Sequence, residues 1–451
     1  MSSWLIFPAI PDGSLEQLSR SAVSMSVLEP ATLLTALAMS TKHIGVLGTA
    51  STSYYEPYNV ARLWGSLDHI SGGRAGLNVV TTRSRSASFN FGKDDLDEHD
   101  TRYERADEFV EVLNGLWDSW DDDAFIRDYD EVRFFDPTKL HTLDHKGKFF
   151  NVRGPLNLSR SAQGRPVISQ AGGSEAGKEL AAKTADVVFI NAPTLEFAQN
   201  FYADLKGRLA KFGRQQDELK IVSGLTIVTG STQEEAERRT ADVSRHIHPE
   251  IGRQMISGVL DTDLSDVDYD SRIPQSKILD NVNKGQTYFG LIRKFVEEGR
   301  TLREIAAHFA EARVGSIVKG TPEQIADKMQ AWFEARGSDG FMMRAMTVPG
   351  NLDDICEEVI PELRRRGLVR TEYTGDTLRE KPRPRRRPPP VAISGGSEPE
   401  IRSAVRRWVV TSGWATTGLS QPDRRVPRGP ACQSQSLPGC KIAGDGVHVE
   451  G

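Results

Sequence analysis

Short β-branched runs alternate with amphipathic helical stretches through the first 380 residues, and this alternation limits the folds open to the chain. LIFPAI near residue 5, IGVLGTA near 44, LNVVTT near 77, PVISQAG near 166, DVVFI near 186, IVSGLTIV near 221 and GFMM near 340 read as buried strands. Helical spacing is predicted for 32–41, 58–71, 101–120, 174–183, 195–212, 233–246, 322–336 and 352–366. Within 101–120, Tyr103, Ala106, Phe109, Val110, Leu113, Leu116 and Trp117 form one buried stripe. Parallel strands joined by helical crossovers follow, because a parallel pair needs a connection long enough to return the chain to the same end. Seven such strands point to an α/β fold, a (β/α)8 barrel short of one strand. An open doubly wound sheet is the alternative, but no strand is followed by the glycine-rich dinucleotide fingerprint. Residues 83–165 and 231–335 are insertions of a size that builds a lid or a cleft on a barrel.

Composition matters where the pattern stops. After Glu380 the chain turns into KPRPRRRPPP and then into Gly-, Ser-, Pro- and Arg-rich sequence without a period. Residues 381–451 hold 12 Lys and Arg against 5 acids, net +7, while the preceding 380 hold 45 against 57, net −12. With 10 of the 23 prolines, the tail cannot bury enough apolar surface to offset its ordering entropy, so it is expected to be disordered. Two parts are therefore expected, a barrel over 1–380 and an Arg/Pro-rich tail over 381–451. The tail is basic but carries no base-stacking module, so nucleic acid is not expected as a partner. Pro8 breaks the first apolar run and no basic residue precedes it, which argues against a signal peptide or membrane span. Three cysteines, Cys356, Cys432 and Cys440, form no metal-binding cluster; a cytoplasmic, reducing setting is expected.

On a barrel the chemistry gathers at the C-terminal ends of the strands. The polar residues there are Asp12 after the first run, Thr49, Ser51 and Thr52 after the second, Asn78 and Thr81 on the third, and Gly172, Gly173 and Ser174 after PVISQ. The last three resemble an anion cradle, since glycines let backbone N–H groups approach a phosphate and Ser174 opens a helix whose amides favour negative charge. A plain N-cap is the commoner reading of a serine in this position. His99 and Tyr103, four apart, share a helix face with Arg102 pointing elsewhere. Two readings stand for that pair, a shared ligand contact, or His99 capping and Tyr103 packing. His246 and His248 read as exposed helix surface, and His141 and His145 as flanking a hairpin turn; neither pair is a metal-ligand set. No G-x-S-x-G occurs, which lowers the case for a hydrolase.

LEPATLLTALAMSTKHIGVLGTASTSYYEPYNVARLWGSLDHISGGRAGLNVVTT, FNFGKDDLDEHDTRYERADEFVEVLNGLWDSWDDDAF and FFNVRGPLNLSRSAQGRPVISQAGGSEAGKELAAKTADVVF together resemble the bacterial luciferase-like flavin monooxygenases. Within them the chain is most similar to the group of nitrilotriacetate monooxygenase component A and dibenzothiophene-sulfone monooxygenase, over residues 5–380. The resemblance implies a (β/α)8 TIM barrel that binds FMN as FMNH2, supplied by a separate NAD(P)H:flavin reductase. It further implies that dioxygen adds at flavin C4a and that the resulting (hydro)peroxide gives one oxygen atom to a small organic substrate. By the same resemblance Asp12 lies beside the flavin and Thr49 contacts it. His99 and Tyr103 reach its side chain and phosphate, Ser174 binds the phosphate, and Asn78 and Thr81 line the pocket. No catalytic acid or base is implied, and a homodimer or higher homo-oligomer is expected. Two departures stand out: MSSW occupies the place of the family's first strand and helix, and the tail after Glu380 has no counterpart. Arg83 and Arg85 could attract a carboxylate or sulfonate, or be ordinary exposed loop residues. A deazaflavin-dependent oxidoreductase of the same superfamily, and an inactive truncated flavin-binding remnant, are the alternatives in function.

Overall fold

The computed structural model describes residues 8–10, 15–19, 26–82, 84–260, 262–278, 286–312, 316–380 and 409–411, all within the compact unit Met1–Trp414. The first half of LIFPAI, Asp12, Arg83 and the tail other than 409–411 lie outside the described residues. The strands are β1 (Val46–Ser51), β2 (Ala75–Val80), β3 (His145–Lys146), β4 (Asn151–Val152), β5 (Val167–Gln170), β6 (Val187–Ile190), β7 (Lys220–Thr229), β8 (Ser316–Gly320), β9 (Gly340–Ala345) and β10 (Val409–Thr411). The α-helices are α1 (Leu15–Leu18), α2 (Pro30–Ser40), α3 (Pro57–Ile70), α4 (Arg85–Phe89), α5 (His99–Trp117), α6 (Glu175–Thr184), α7 (Leu195–Arg208) and α8 (Gln233–Ser244). They continue with α9 (Pro249–Leu260), α10 (Gln286–Glu297), α11 (Leu302–Ala312), α12 (Pro322–Glu334), α13 (Gly350–Asp354) and α14 (Ile360–Arg365).

All but β3 and β4 join one parallel sheet in the order β1-β2-β5-β6-β7-β9-β10, with β8 also paired to β7. The TIM-barrel expectation is met, with one correction to the strand reading. SIVKG forms β8 inside a stretch read as helices and loops, because β7 runs for ten residues, outlasts its pairing with β6, and offers Leu225–Thr229 a further partner. Of residues 381–451 only 409–411 are described, and Val409–Thr411 pairs in parallel with Phe341–Met343 of β9.

Sequence chemistry sets the helix starts. Proline opens α2, α3, α9 and α12, where its missing N–H costs nothing. The Glu29 carboxylate caps α2 by accepting from the Ala31 and Thr32 amides, and Thr321 and Gln324 form a reciprocal capping box on α12. On α3 and α5 the apolar stripes lock together with Trp64, Leu77, Phe109, Leu113 and Leu116 in one cluster. Within it, indole N–H groups of Trp64 and Trp117 donate to the Gly76 and Ala61 carbonyls at 3.0 Å. Burying such side chains supplies about 1.5–3 kcal/mol each. The second insertion has its own core, in which Ile256, Leu260, Ile292, Phe295, Ile305 and Phe309 join α9, α10 and α11.

The N-terminal end of the barrel is closed by the segment that follows α14. Leu378 packs among Val167, Val187 and Val222, and its amide donates to the Gly73 carbonyl at 2.7 Å. The Arg379 guanidinium then grips Asp186 at 2.7 Å and the carbonyls of Arg165 and Pro166 at 3.3 Å.

Candidate functional site

At the opposite, C-terminal end, β1 and β2 place Thr49 level with Asn78, whose Nδ2 donates to the threonine hydroxyl at 3.0 Å. Ala50 and Val79, the alternate residues, face the outer helices, so Thr49 and Asn78 face the barrel interior. Ser51 and Thr82 share a hydroxyl hydrogen bond of 2.5 Å just above them, and Thr81 is half-buried at the same rim.

His99 is the first residue of α5, its Nδ1 2.9 Å from the Asp100 carboxylate, and its ring lies 4.8 Å from that of Tyr103 one turn on. The Tyr103 hydroxyl reaches the loop between β5 and α6. A Cβ built on Gly172 would fall 3.2 Å from that hydroxyl and 3.0 Å from the Gly177 Cα, so a side chain here would force its neighbours back by a few tenths of an ångström. Ser174 caps α6, its Oγ accepting from the Gly177 amide at 3.2 Å, and Gly173 beside it faces open space. The N-cap reading of Ser174 therefore holds. The cradle reading is compatible with the same geometry, since the other first-turn amides of α6 have no intrahelical partner and the Tyr103 hydroxyl stands beside this turn.

The structure thus gathers Thr49, Asn78, His99, Tyr103 and Ser174 at the ends of the neighbouring strands β1, β2 and β5. It corrects the placing of several other residues. Arg102, between His99 and Tyr103 in sequence, donates from Nη1 to the Thr82 carbonyl at 2.7 Å, tying α5 to the end of β2. Arg105, overlooked in the sequence, does the same to Thr52 at 2.9 Å while lying over the Phe150 ring. Arg85 is exposed and pairs with Asp95 at 3.4 Å, so it is an ordinary surface residue. His246 and His248 are exposed as expected, but in the connection after α8 rather than in a helix. His141 and His145 both precede the β3–β4 turn, held by Asp121 at 3.0 Å and Glu108 at 3.1 Å, because those carboxylates supply nearer partners than each other. Among the described residues no group of three metal-ligating side chains occurs.

Two interior groups escaped the sequence reading. Asn191 directly follows β6, and its Oδ1 is buried without a hydrogen-bond partner. Gly224 opposite makes room for it, since a Cβ there would stand 2.7 Å from that oxygen. The strand-end rule that selected Asn78 would have found Asn191 too. At the rim, Tyr54 stacks on Phe91 at 4.7 Å with Tyr55 edge-on, and burial pushes the Tyr54 phenol above its ordinary range. A glycine cradle, a buried amide oxygen awaiting a donor and an aromatic rim suit a flat heterocycle carrying an anionic chain. Among the described residues no helix is long and apolar enough to cross a membrane.

Comparison with known proteins agrees with this geometry. The luciferase-like monooxygenase family profile matches residues 15–340. N-acetyl-S-(2-succino)cysteine monooxygenase of Bacillus subtilis is 45% identical over 354 residues, 78% of this chain and 80% of that protein. Nitrilotriacetate monooxygenase component A of Aminobacter aminovorans is 43% identical over 378 residues, 82% of this chain and 83% of that protein. The crystal structure of DmoA from Hyphomicrobium sulfonivorans superposes with a TM-score of 0.74 at 33% identity, covering 83% of this chain and 79% of that one. By sequence and by fold, this chain belongs to the luciferase-like monooxygenases.

Proposed function

We propose that the chain is the oxygenating component of a two-component, FMNH2-dependent monooxygenase, fed by a separate NAD(P)H:flavin reductase and acting on a small organic substrate. The observation that carries this reading is the packing of the Tyr103 hydroxyl against Gly172 and Gly177, beside His99 and Ser174, in a family of monooxygenases. Tyr103, His99 and the α6 amides capped by Ser174 would hold the phosphate and ribityl chain. Thr49 and Asn78 would line the ring pocket, and Asp12, outside the described residues, would lie beside the ring. Reduced FMN, when bound, supplies the electrons for oxygen activation. The chain's own part is to orient and to keep water out: Arg102 and Arg105 fix α5, and Leu378 seals the floor.

Two of the relatives are named for N-acetyl-S-(2-succino)cysteine and nitrilotriacetate, both small organic acids. A cytoplasmic homodimer or higher homo-oligomer completes the proposal; Met39, Leu63 and Ile70, exposed on the adjacent α2 and α3, offer an apolar face for it. The test is anaerobic titration with photoreduced FMN, then oxygen uptake with a flavin reductase and NADH. Saturable binding of FMNH2 and flavin-dependent oxygen uptake are expected. Binding of a reduced deazaflavin without oxygen uptake would replace this reading, and failure to bind either would mark an inactive remnant.

A further inference from the structure

Two asparagines face the barrel interior near its C-terminal end, and the chain treats them differently. Asn78 is engaged, donating from Nδ2 to the Thr49 hydroxyl at 3.0 Å. Among the described residues nothing engages the carboxamide of Asn191, whose Oδ1 is buried without a partner. Its direction follows from alternation along β6. Ile190 packs into the cluster that holds Leu205, Ile325 and Met329 of the outer helices, whereas Phe189 packs with Val167, Val187, Val222 and Leu378 at the floor. Asn191 therefore faces inward, one layer above Phe189. Ile190 pairs with Ser223, so the next position brings Asn191 level with Gly224, whose missing side chain admits the carboxamide. The duties an asparagine ordinarily has at a strand end fall to its neighbours. Thr194 caps α7, its hydroxyl accepting from the Phe197 amide at 3.2 Å, and the Ser316 hydroxyl donates to the Ala192 carbonyl at 2.7 Å. Asn191 thus stands on a fixed backbone with its own hydrogen bonds unmade.

β6 lies beside β5, whose following loop carries Gly172–Ser174 into α6. The cradle belongs to the helix layer outside the sheet, and Asn191 to the lumen inside it. A flavin whose phosphate is held at α6 would send its ring into the lumen past the end of β6. One edge of that ring is a dimethylbenzene and apolar; the other is an imide, which sets an N–H donor beside carbonyl acceptors. A carboxamide matches an imide edge, because it offers an acceptor and donors on adjacent atoms, as asparagine does when it pairs with adenine. A carboxylate in its place would face the ring carbonyls with like charge. No hydrogen bond to a described residue opposes rotation about the Asn191 Cβ–Cγ bond, so the oxygen can turn from Gly224 toward the lumen.

We infer that Asn191 reads the imide edge of the flavin ring, its carboxamide accepting from the ring N3–H and donating to the neighbouring carbonyl. The inference rests on the function proposed above and deepens it. FMN and 3-methyl-FMN, in which a methyl group replaces that N–H, are photoreduced and titrated anaerobically, by fluorescence, into the unaltered chain and into Asn191→Leu. The unaltered chain is expected to bind FMNH2 about tenfold more tightly than the reduced methylated flavin. Asn191→Leu should weaken FMNH2 about tenfold and the methylated flavin less than about twofold, so that the preference disappears. Gly224→Ala, whose new methyl group would displace the carboxamide, should lose the preference as well while keeping Asn191. Equal binding of the two flavins by the unaltered chain would overturn the assignment without any variant, and so survives a misfolded one. A preference that persists in Asn191→Leu, or FMNH2 binding in that variant as tight as in the unaltered chain, would also overturn it, the latter by turning Asn191 toward the substrate. A chain that binds neither flavin overturns the proposed function along with this inference, whereas FMNH2 binding without the preference overturns this inference alone.

Discussion

The two ends of the barrel use polar chemistry in opposite ways. At the N-terminal end, charges are consumed within the chain. Arg74, 6% exposed, donates to the carbonyls of Ala38, Thr41, Ile44 and Ser71 and to the Thr41 hydroxyl. A cleft of about 380 Å³ opens there, lined by Arg160, Arg165, Lys183, Asp186 and Arg379 among others. Its cations nevertheless have partners, Arg160 and Arg165 on Asp118, Lys183 on Asp107 and Arg379 on Asp186. At the C-terminal end the same strands present glycines, single hydroxyls and the unpartnered Asn191 oxygen. Satisfied polar groups hold a fold together, whereas an unsatisfied one is a cost that a ligand removes. The difference therefore marks which end is structural and which is for binding.

Substitutions should divide along the same line. Leu378→Ala, which empties the floor beneath Val167, Val187 and Val222, is expected to cost about 2–5 kcal/mol in urea unfolding, with FMN affinity per folded molecule unchanged. Arg74→Met leaves the carbonyls after α2 without their donors and should cost about 3 kcal/mol, again without effect on FMN. A loss of flavin affinity in either variant would break the division. Gly172→Ala should do the reverse, lowering FMNH2 affinity about tenfold or more by fluorescence titration while shifting the unfolding midpoint less than Leu378→Ala does. Tyr103→Phe removes only a hydroxyl and should weaken FMNH2 about three- to tenfold with stability intact.

The smallest effect is one of pH. Burial raises the Asp68 carboxyl above its ordinary value, although hydrogen bonds from the Ala75 amide and Gln163 oppose the shift. The folded state thus binds this proton more readily than the unfolded one, so stability should fall as pH rises from about 4 through the raised value. Asp68→Asn should lack that decline. Parallel stability profiles for the two proteins would show that Asp68 does not titrate there.

What was legible in the sequence depended on how local the signal was. Ser174 caps the helix it precedes, and Tyr103 follows His99 by one turn, so short spacing revealed both. Leu378 was not legible, because its partners Val167, Val187 and Val222 lie between 156 and 211 residues away and nothing beside it in sequence foretells them. The β8 strand was missed because five residues, two of them β-branched, give too short a period; its existence depends on the overhang of β7. The tie from Arg102 to Thr82 was not legible, because helical phase says which face a residue occupies but not how far a long side chain reaches.

Helix α5 also makes the mouth sensitive to events far from it. Its C-terminal half is clamped azimuthally by Phe109, Leu113, Leu116 and Trp117, all buried, while its first turn holds His99 and Tyr103 over the glycine loop. A rigid helix turns about 100° per residue, so inserting one residue between Glu104 and Glu108 would swing both rings a quarter-turn or more about the axis, leaving the buried stripe in place. The helix thus acts as a drive shaft: the aim of two side chains at the rim is set by packing more than a turn further along.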